Sequence, residues 1–465
     1  MIGKRQAADN HRPLKIMIVG CGKVGSTLVE QLTQEGNDIT LIDENRDKIE
    51  NLTNLYDTMG YVGNGASYSL LKEAGIDEMD LMIAVTNSDE LNLLCCTLAK
   101  RVGNCAAIAR VRKPDYMGEV HYLRDRLGLA MIINPELEAA AEMARILYLP
   151  SALEVNSFAH GEAELIKFKV TSDCQLCNKT VSDFTRGINE HMIFSAVERA
   201  GNVFIPNGAF TFLDEDIVSF VTTRRSGRKC MQRLGIPTGQ VRDCMIIGGG
   251  DASYYLASHL IKANINVKII EKNKARCEEL SLLLPEAIII CGDGTDTALL
   301  VEEGIETTEA FVPLTGMDEE NIMLTLYAKR FSNAKVITKI NRISFPEVVN
   351  SLDLGSVIYP RYITSEAIIA YARARRASVE NTIIETLYHL FDQRAEAIEF
   401  LITEESAATG TPLMKLNLKD NLIITFISRN GQIILPKGSD TIEVGDSVMV
   451  TTTHSHFSDI SDILA

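Results

Sequence analysis

Two stretches decide the fold of this chain: residues 15–25 read KIMIVGCGKVG, and residues 244–253 read CMIIGGGDAS. In both, a short apolar run leads directly into glycines and then into a helical pattern. Apolar strands without alternation are typical of a parallel sheet that is covered on both faces. The same unit is therefore predicted twice, and the chain reads as an internal repeat.

The spacing that follows each stretch is also repeated. Asp43 lies 23 residues after Gly20, and Glu271 lies 23 residues after Gly248. Seven later positions match in the same order: Gly63, Gly65, Gly75, Thr86, Asp89, Glu90 and Asn92 in the first half, and Gly292, Gly294, Gly304, Thr315, Asp318, Glu319 and Asn321 in the second. The whole unit, and not only its glycine loop, is therefore duplicated.

Strand–helix alternation predicts an α/β fold of two tandem Rossmann-like domains, each a doubly wound parallel sheet. In the first domain we expect strands near 15–20, 38–43, 58–62, 81–85, 106–111 and 130–133, and a last helix over about 136–148. Each domain is followed by shorter β-like segments that predict a small α+β lobe: Glu164–Val170, Ile193–Val197 and Ile217–Val221, then Glu396–Ile402, Leu422–Ile427 and Ser447–Thr451. The expected divisions are a disordered tail (1–13), the first Rossmann-like domain (14–150), its small lobe (151–225), a linker (226–240), the second Rossmann-like domain (241–380) and its small lobe (381–465).

Composition excludes several classes of protein. The longest apolar runs fall far short of the roughly 18 residues that cross a bilayer, so no transmembrane helix is expected. Acidic residues outnumber basic ones by 62 to 46, which argues against nucleic acid as a partner. The short basic clusters Arg224–Lys229 and Arg373–Arg376 are interpreted as a solvated linker and a solvated helix face. Cys174 and Cys177 lack a second cysteine or histidine pair, so no metal site is expected.

The first glycine loop has the form G-x-G-x-x-G between a strand and a helix, which is typical of dinucleotide-binding domains. The first glycine makes the turn, the second lets the backbone approach a pyrophosphate, the third lets helix and strand pack closely, and the helix N-terminus faces the phosphates. A turn that binds no ligand is the alternative. The candidate contacts in this loop are Gly20, Cys21, Gly22, Lys23, Val24 and Gly25.

Asp43, at the end of the second strand, is placed to accept hydrogen bonds from a ribose hydroxyl. Its carboxylate would repel a 2′-phosphate, which favours NAD(H) over NADP(H) and leaves ATP and ADP possible. Asn64 and Gly65 follow the third strand, where a loop can contact the edge of an adenine ring. Thr86 and Asn87 follow the fourth strand, either as ligand contacts or in a helix cap.

Arg110 ends the fifth strand and aligns with Lys339 in the second half. A cation there either reaches a phosphate or pairs with a carboxylate. The second half offers its own candidate contacts: Gly248, Gly250, Glu271 and Asp293. Ser253 stands where the third glycine is expected, and Asp251 adds a negative charge, so binding there is expected to be weaker, altered in ligand or lost.

With these motifs in order, the chain resembles the peripheral, nucleotide-binding subunit of Trk-type potassium uptake systems, which carries two tandem RCK domains. The resemblance covers about residues 14 to 455 and is carried by the glycine loop with Asp43, the Gly-Asp-Gly-Thr-Asp stretch at 292–296, and Thr-Asn-Ser-Asp-Glu-Leu-Asn at 86–92. It implies a cytoplasmic homo-oligomeric ring, expected to be a tetramer, docked peripherally on the inner face of the membrane against a potassium-translocating subunit. It also implies regulation by NAD(H) or ATP/ADP, and it supports Gly20, Gly22, Gly25 and Asp43 as nucleotide contacts.

The competing class is an NAD-dependent oxidoreductase, which needs an acid/base and a substrate anchor near the nicotinamide. None of the eight histidines lies in a recognisable catalytic motif, and the small lobes are short for a substrate domain. No catalytic residue is therefore assigned and an enzyme is not expected. A nucleotide sensor for another cation transporter or antiporter is the other alternative.

Overall fold

The structure is a computed structural model, and it describes residues 13–186, 192–341, 346–376, 382–391 and 393–465. All of the predicted disordered tail except Pro13 lies outside these residues. No helix in the described part of the chain is long and apolar enough to cross a membrane.

The first domain is a six-stranded parallel sheet of order β3-β2-β1-β4-β5-β6, as the alternation of strands and helices predicts. This order places the carboxyl ends of β1 and β4 side by side, where a crevice for ligands opens. Its elements are β1 (Lys15–Val19), α1 (Lys23–Gln34), β2 (Asp38–Asp43), α2 (Arg46–Tyr56), β3 (Met59–Val62), α3 (Tyr68–Glu73), β4 (Leu81–Ala84), α4 (Asp89–Val102), β5 (Ala106–Arg110), α5 (Pro114–Met117), α6 (Val120–Leu127), β6 (Met131–Ile133) and α7 (Pro135–Tyr148).

The first small lobe is a five-stranded antiparallel sheet of order β10-β9-β11-β8-β7. Two of its strands were not predicted, because β7 is largely polar and β10 is only the short return arm of a hairpin that turns at Ala200 and Gly201, both with positive φ. The lobe consists of β7 (Glu154–Phe158), β8 (Ala163–Lys169), α8 (Val181–Thr185), β9 (Met192–Arg199), β10 (Asn202–Phe204), β11 (Ile217–Thr223) and α9 (Gly227–Arg233).

The second half repeats this architecture, with a parallel sheet of order β14-β13-β12-β15-β16-β17 and an antiparallel sheet of order β18-β19-β22-β20-β21. The parallel domain contains β12 (Asp243–Ile247), α10 (Asp251–Lys262), β13 (Asn266–Glu271), α11 (Lys274–Leu283), β14 (Ile288–Cys291), α12 (Thr297–Glu302), β15 (Ala310–Pro313), α13 (Asp318–Phe331), β16 (Lys335–Lys339), α14 (Pro346–Ser351), β17 (Ser356–Ile358) and α15 (Pro360–Arg376). The small lobe contains β18 (Thr382–Leu390), β19 (Ala395–Ile402), β20 (Leu422–Arg429), β21 (Gln432–Ile434) and β22 (Ser447–Thr452).

The two small lobes share a buried ion pair at equivalent positions. Arg199 reaches Asp216 at 2.6 Å in the first lobe, and Arg429 reaches Asp446 at 2.8 Å in the second. Both aspartates are 1% exposed. Because a buried carboxylate needs a partner, each arginine holds the turn that precedes its lobe's central strand, which confirms the repeat at the level of side chains.

The two halves exchange their last Rossmann helices. Helix α7 of the first domain packs on α10 of the second, where Met143 and Leu147 share a buried core with Leu256 and Leu260. Reciprocally, α15 of the second domain packs on α1 of the first. Each domain also has a core of its own, and the exchanged helices bury further apolar surface between the two domains.

One of the two expectations about basic clusters needs correction. Arg373 does not lie on a solvated helix face: it is 3% exposed and pairs with Glu35 at 2.6 Å and with Glu396 at 2.9 Å. The basic side chains of Arg224–Lys229 are exposed, as expected. Within the segment 226–240, however, α9 forms and buries Cys230 and Met231 in the core of the first small lobe.

Candidate nucleotide-binding sites

The first glycine loop has no room for side chains at two of its three glycines. Gly20 has φ +101°, and a Cβ added there would lie 2.8 Å from the backbone nitrogen of Thr86. A Cβ on Gly25 would lie 1.9 Å from the carbonyl oxygen of Gly20. No described atom comes within 4 Å of a Cβ built on Gly22, so this backbone faces open space. The first and third glycines are required by packing, and the second leaves an approach to the backbone.

Helix α1 begins at this open edge. Gly22 is its N-cap residue, and no described side chain caps the helix. The N–H groups of the first turn therefore face the crevice without a side-chain acceptor, which is an arrangement that suits phosphate oxygens. Lys23 is exposed beside them, whereas Cys21 and Val24 point into the core. Because the Cys21 side chain is only 4% exposed, the backbone of this residue is the part available to a ligand; burial also raises the pKa of its thiol to about 12.

Asp43 holds the glycine loop from the end of β2. The Cys21 N–H donates to Asp43 Oδ2 at 2.7 Å, and the Asn45 N–H donates to Oδ1 at 2.8 Å. Each carboxylate oxygen has a second lone pair to offer. The side chain is therefore oriented by the backbone before any ligand arrives, in the position that the ribose assignment requires.

The other candidates of the first half have different surroundings. Gly65 is buried against β1, since a Cβ there would lie 2.2 Å from Val19 Cγ1, and it acts in packing. Asn64 is exposed on the rim and closes its own turn by accepting from the Ala66 N–H at 2.8 Å. Asn64 can therefore reach a ligand with its side chain, whereas Gly65 contributes only to packing.

Thr86 belongs to a hydrogen-bonded cap at the end of β4. Its N–H and its hydroxyl both donate to Asn92 Oδ1, at 2.8 and 2.7 Å, and Asn92 in turn donates to the carbonyl of Arg110 at 2.9 Å. Ser88 caps α4 by accepting from the Leu91 N–H. The cap is therefore present, and the exposed side chain of Asn87 is the part of this segment that remains open to a ligand.

Arg110 pairs with a carboxylate. Its Nη2 lies 2.7 Å from Glu136 Oε1, and the two side chains are only 11% and 23% exposed. Glu136 belongs to the first turn of α7, the helix that packs on the second domain. Contact between Arg110 and a phosphate would therefore compete with this pair.

A cavity of about 490 Å³ occupies the second crevice, and it is lined by all four residues predicted there: Gly248, Gly250, Glu271 and Asp293. Glu271 repeats the arrangement of Asp43, because it accepts from the Gly249 N–H at 2.6 Å and from the Asn273 N–H at 2.7 Å. Gly250 has no described atom within 4 Å of an added Cβ, as at Gly22. The second copy thus keeps the geometry of the first at the positions that would meet a nucleotide.

The departures from the motif are accommodated within the second loop. Ser253 is fully buried and donates from Oγ to the Gly248 carbonyl at 2.6 Å, so the third-glycine position is filled by a hydrogen bond. Arg276 donates to the Gly249 carbonyl at 2.7 Å and reaches Asp251 at 3.3 Å. Ser253 therefore fits at the position of the third glycine, and the charge of Asp251 is partly balanced by Arg276 of α11.

Comparison with known proteins agrees with this architecture. The TrkA-N domain family matches residues 16–135 and 244–360, and the TrkA-C domain family matches residues 397–465. The chain is 32% identical over 460 residues to the Trk system potassium uptake protein TrkA of Vibrio alginolyticus, covering 97% of this chain and 98% of the relative. It is 30% identical over 455 residues to TrkA homolog 1 of Methanosarcina mazei, covering 96% and 99%.

The chain belongs to the TrkA family. Solved structures of the same fold include the GsuK RCK domain (TM-score 0.64, 14% identity, 95% of this chain and 93% of that chain) and the GsuK channel bound to NAD (TM-score 0.63, 15% identity, 96% and 77%). The resemblance inferred from the glycine loop, Asp43 and the duplicated order is thereby confirmed.

The structure adds residues to the crevices of this TrkA-family chain that sequence reasoning did not assign. Glu136 lines the second cavity although it belongs to the first domain, and Arg276 clamps the second loop from α11. Lys339 also lines the second cavity. Burial lowers the pKa of Lys339 to about 8; Asp318 and Glu136 oppose the shift, and Lys23 of the first loop adds to it. The alignment of Arg110 with Lys339 in the sequence indicated a cation at this position of the second crevice. No local sequence pattern marks Glu136.

Hydrogen bonds between the two domains also show that the two crevices are adjacent in this TrkA-family chain. Tyr255 of α10 donates from its hydroxyl to the carbonyl of Arg112 at 2.6 Å, and Asn134, the N-cap of α7, donates to Tyr255 at 3.3 Å. The end of β5 and the start of α7 therefore contact the helix that opens from the second glycine loop.

Proposed function

We propose that this chain is a nucleotide-binding regulatory subunit of a Trk-type potassium uptake system, and that NAD(H) or ATP/ADP binding in its crevices controls potassium transport. The observation that carries the proposal is the uncapped N-terminus of α1 beside the open backbone of Gly22, with Asp43 oriented by two backbone amides. Family membership supplies the transport context, since the relatives are named as potassium uptake proteins.

The first crevice is proposed as the principal nucleotide site. Its contacts are the loop backbone from Gly20 to Gly25, Lys23 beside the phosphates, Asp43 at the ribose, and Asn64 and Asn87 on the rim. A ligand that carries two ribose hydroxyls and a diphosphate satisfies all of these groups. NAD is also the ligand named for the GsuK channel.

The second crevice is proposed as a weaker site. It keeps the loop geometry, but Glu136, Asp251, Glu271, Asp293 and Glu320 line its cavity against only Lys272 and Lys339. Carboxylates close to a diphosphate repel it, and the repulsion is larger where solvent is partly excluded. Calorimetric titration that gives one tight and one weak site per chain supports this order; two sites of equal affinity contradict it.

Regulation requires a ligand to bind two conformations of the protein with different affinity. A tenfold preference at one site corresponds to about 1.4 kcal/mol, so four equivalent sites in a ring together supply about 5 to 6 kcal/mol. A free-energy difference of this size moves a two-state gate from mostly closed to mostly open. We propose that the element carrying the change is the exchanged helix α7, because its first turn contacts both crevices.

The assembly is proposed to be a homotetrameric ring on the cytoplasmic face of the membrane, in contact with a potassium-translocating subunit. The reciprocal packing of α7 and α15 supports pairing of Rossmann-like domains as the unit of such a ring. Sedimentation of the purified chain measures the subunit number, and a mass of one or two chains would contradict the tetramer.

The decisive experiment is potassium flux in proteoliposomes that contain the membrane subunit, with and without this protein, over titrations of NAD, NADH, ADP and ATP. We expect flux to change with at least one nucleotide only when the protein is present. Gly25→Val, which blocks the first loop, serves as the matched variant and is expected to lose the response. Flux that ignores every nucleotide would overturn the proposal, and turnover of NADH by the purified protein would favour an oxidoreductase.

A further inference from the structure

A cavity of about 540 Å³ lies where the four lobes meet, and none of the crevice residues assigned above lines it. Its walls come from α1 and α7, from β7 and β8, from β17 and α15, and from β18, so each Rossmann-like domain and each small lobe contributes. The volume lies within the range of small-molecule sites. A molecule bound there would contact every part of the fold.

Carboxylates dominate the wall of this cavity. The anionic residues that line it are Glu30, Glu142, Glu154, Glu198 and Glu366. The lining cations are Lys167, which pairs with Glu154, and His389, whose Nδ1 lies 3.3 Å from Glu366. Both cations are therefore already engaged, and Glu198 pairs with Arg394. Among the described residues this leaves Glu30 and Glu142 as the lining carboxyl groups without an ion-pair partner.

Two buried acceptors face the cavity without a partner. Glu142 is 8% exposed and forms no hydrogen bond with any residue that the structure describes. Asn156 is 1% exposed, and although its Nδ2 donates to Glu154 at 2.6 Å, its Oδ1 is buried with no hydrogen-bond partner. Leaving such atoms unsatisfied costs free energy, whereas a bound donor would satisfy both. Burial raises the pKa of Glu142 to about 8, and Glu154 and Glu366 reinforce the shift while Arg145 and Lys167 oppose it. The side chain is therefore mostly protonated at neutral pH while the cavity holds no cation, and a bound ammonium ion lowers this pKa and meets the ionised carboxylate.

Aromatic rings supply the remaining wall. Tyr359, Tyr362, Tyr388 and Phe391 line the same cavity, and the Lys167 ammonium already lies 5.2 Å from the Phe391 ring centroid. Faces of aromatic rings attract organic cations, and such rings combined with a carboxylate form the usual receptor for an ammonium group. A metal ion fits less well, because no three His, Cys, Asp or Glu side chains in the described ranges are grouped to hold one.

We propose that this cavity binds a small organic cation that carries an ammonium group, with Glu142 and Asn156 Oδ1 accepting its N–H bonds and the tyrosine rings covering its alkyl part. The ligand class follows from the unpartnered acceptors, the excess of carboxylates and the aromatic wall together. Because its site is built from four lobes, the cation stabilises their relative arrangement. The proposal concerns binding alone and does not depend on the proposed transport function.

Isothermal titration of the purified full-length chain tests it, with putrescine as the probe at about 0.15 M salt, where exposed charges are screened. We expect putrescine to bind and Glu142→Gln to weaken the binding at least tenfold, because a charge-assisted hydrogen bond is lost. The control Glu302→Gln removes an exposed carboxylate on α12 and should leave the affinity unchanged. Tetramethylammonium, which lacks N–H donors, should bind more weakly than putrescine.

Three results would overturn the proposal: no binding of putrescine, equal affinity in wild type and Glu142→Gln, or saturable binding of Mg²⁺ or K⁺ that depends on Glu142 while putrescine does not bind. Glu142→Gln should fold, since it removes a buried acid without changing its shape, and its melting temperature checks this. Should it not fold, Asn156→Leu removes the second acceptor and is expected to weaken putrescine binding in the same direction; unchanged binding in that variant would overturn the proposal.

Discussion

Arg110 and Glu136 form an ion pair inside the first domain, at its contact with the second, with Nη2 of the arginine 2.7 Å from Oε1 of the glutamate. Arg110 ends β5 in the first sheet, and Glu136 lines the cavity of the second crevice. The second oxygen of Glu136 is buried without a hydrogen-bond partner. The pair therefore places a shared charge between the two proposed nucleotide sites, and a phosphate that attracts Arg110 in one crevice leaves Glu136 less neutralised in the other.

Glu136→Gln should strengthen nucleotide binding in the second crevice, because it removes a carboxylate from the cavity wall. We expect the weaker dissociation constant for ADP or NAD to fall roughly three- to tenfold. Calorimetry on wild type, on this variant and on the exposed control Glu119→Gln measures the effect. An unchanged weak site in Glu136→Gln would show that the glutamate does not face the ligand.

Substitutions at the second and third glycines of the first loop should differ in their effect on stability. Gly22→Ala meets no described atom and should fold with an unchanged melting temperature, but its methyl group obstructs the backbone where a pyrophosphate would approach. Gly25→Val drives a side chain into the Gly20 carbonyl and should lower the free energy of unfolding by about 1–3 kcal/mol. Both variants should lose nucleotide affinity. Full affinity in Gly22→Ala would mean that no ligand approaches the loop there.

Asp43→Arg should weaken NADH binding at least tenfold, since it removes the ribose acceptor, the hydrogen bond from the Cys21 N–H that holds the loop, and the one from the Asn45 N–H that orients the side chain. The arginine also removes the repulsion that a 2′-phosphate meets, so the preference for NADH over NADPH should shrink. Asp43→Asn keeps a single acceptor oxygen, so its affinity for NADH should lie between those of the parent and Asp43→Arg. Calorimetry with both cofactors measures this, and parent-like NADH affinity in Asp43→Arg would refute the ribose assignment.

Arg373 is the charged centre of the contact between α15, the first domain and the second small lobe. It donates to Glu35 and Glu396 and is 3% exposed. Arg373→Ala leaves the buried Glu35 and Glu396 with His456 and His389 as their remaining cationic partners and should lower the free energy of unfolding by about 3–5 kcal/mol. Arg46→Ala breaks an exposed pair with Glu50 and should cost less than about 1 kcal/mol. Denaturant titration compares the variants, and similar losses in both would contradict the assigned burial.

The ionisation of His389 should make the free energy of unfolding depend on pH. Burial alone would lower its pKa, but ion pairs with Glu366 and Glu396 outweigh burial and raise the pKa to about 9. Because this value exceeds the unfolded value of about 6.5, the stabilisation is fully present below pH about 6.5 and is lost as the pH rises through about 9. The stability difference between wild type and His389→Gln should therefore shrink by at most about 3 kcal/mol over that window. A difference that does not change with pH would contradict the ion pairs.

Local patterns in the sequence were enough to determine the repeat, the two parallel sheets and the glycine loops. Apolar runs such as KIMIV are typical of a strand covered on both faces, and G-x-G-x-x-G marks where backbone must approach backbone. The 1.9 Å clash expected at Gly25 and the identical strand orders of the two sheets bear this out. The positions of Asp43 and Glu271 followed for the same reason, because each depends on the end of a single strand.

Only the tertiary structure decided what lies between the two halves. Helix α7 is amphipathic in the sequence, but an apolar stripe does not say which surface covers it, and it packs on the other domain rather than its own. The place of Glu136 at the second crevice, the burial of Arg373 and the carboxylate-lined cavity all depend on that exchange of helices. Such contacts join residues far apart in the chain, and no local spacing encodes them.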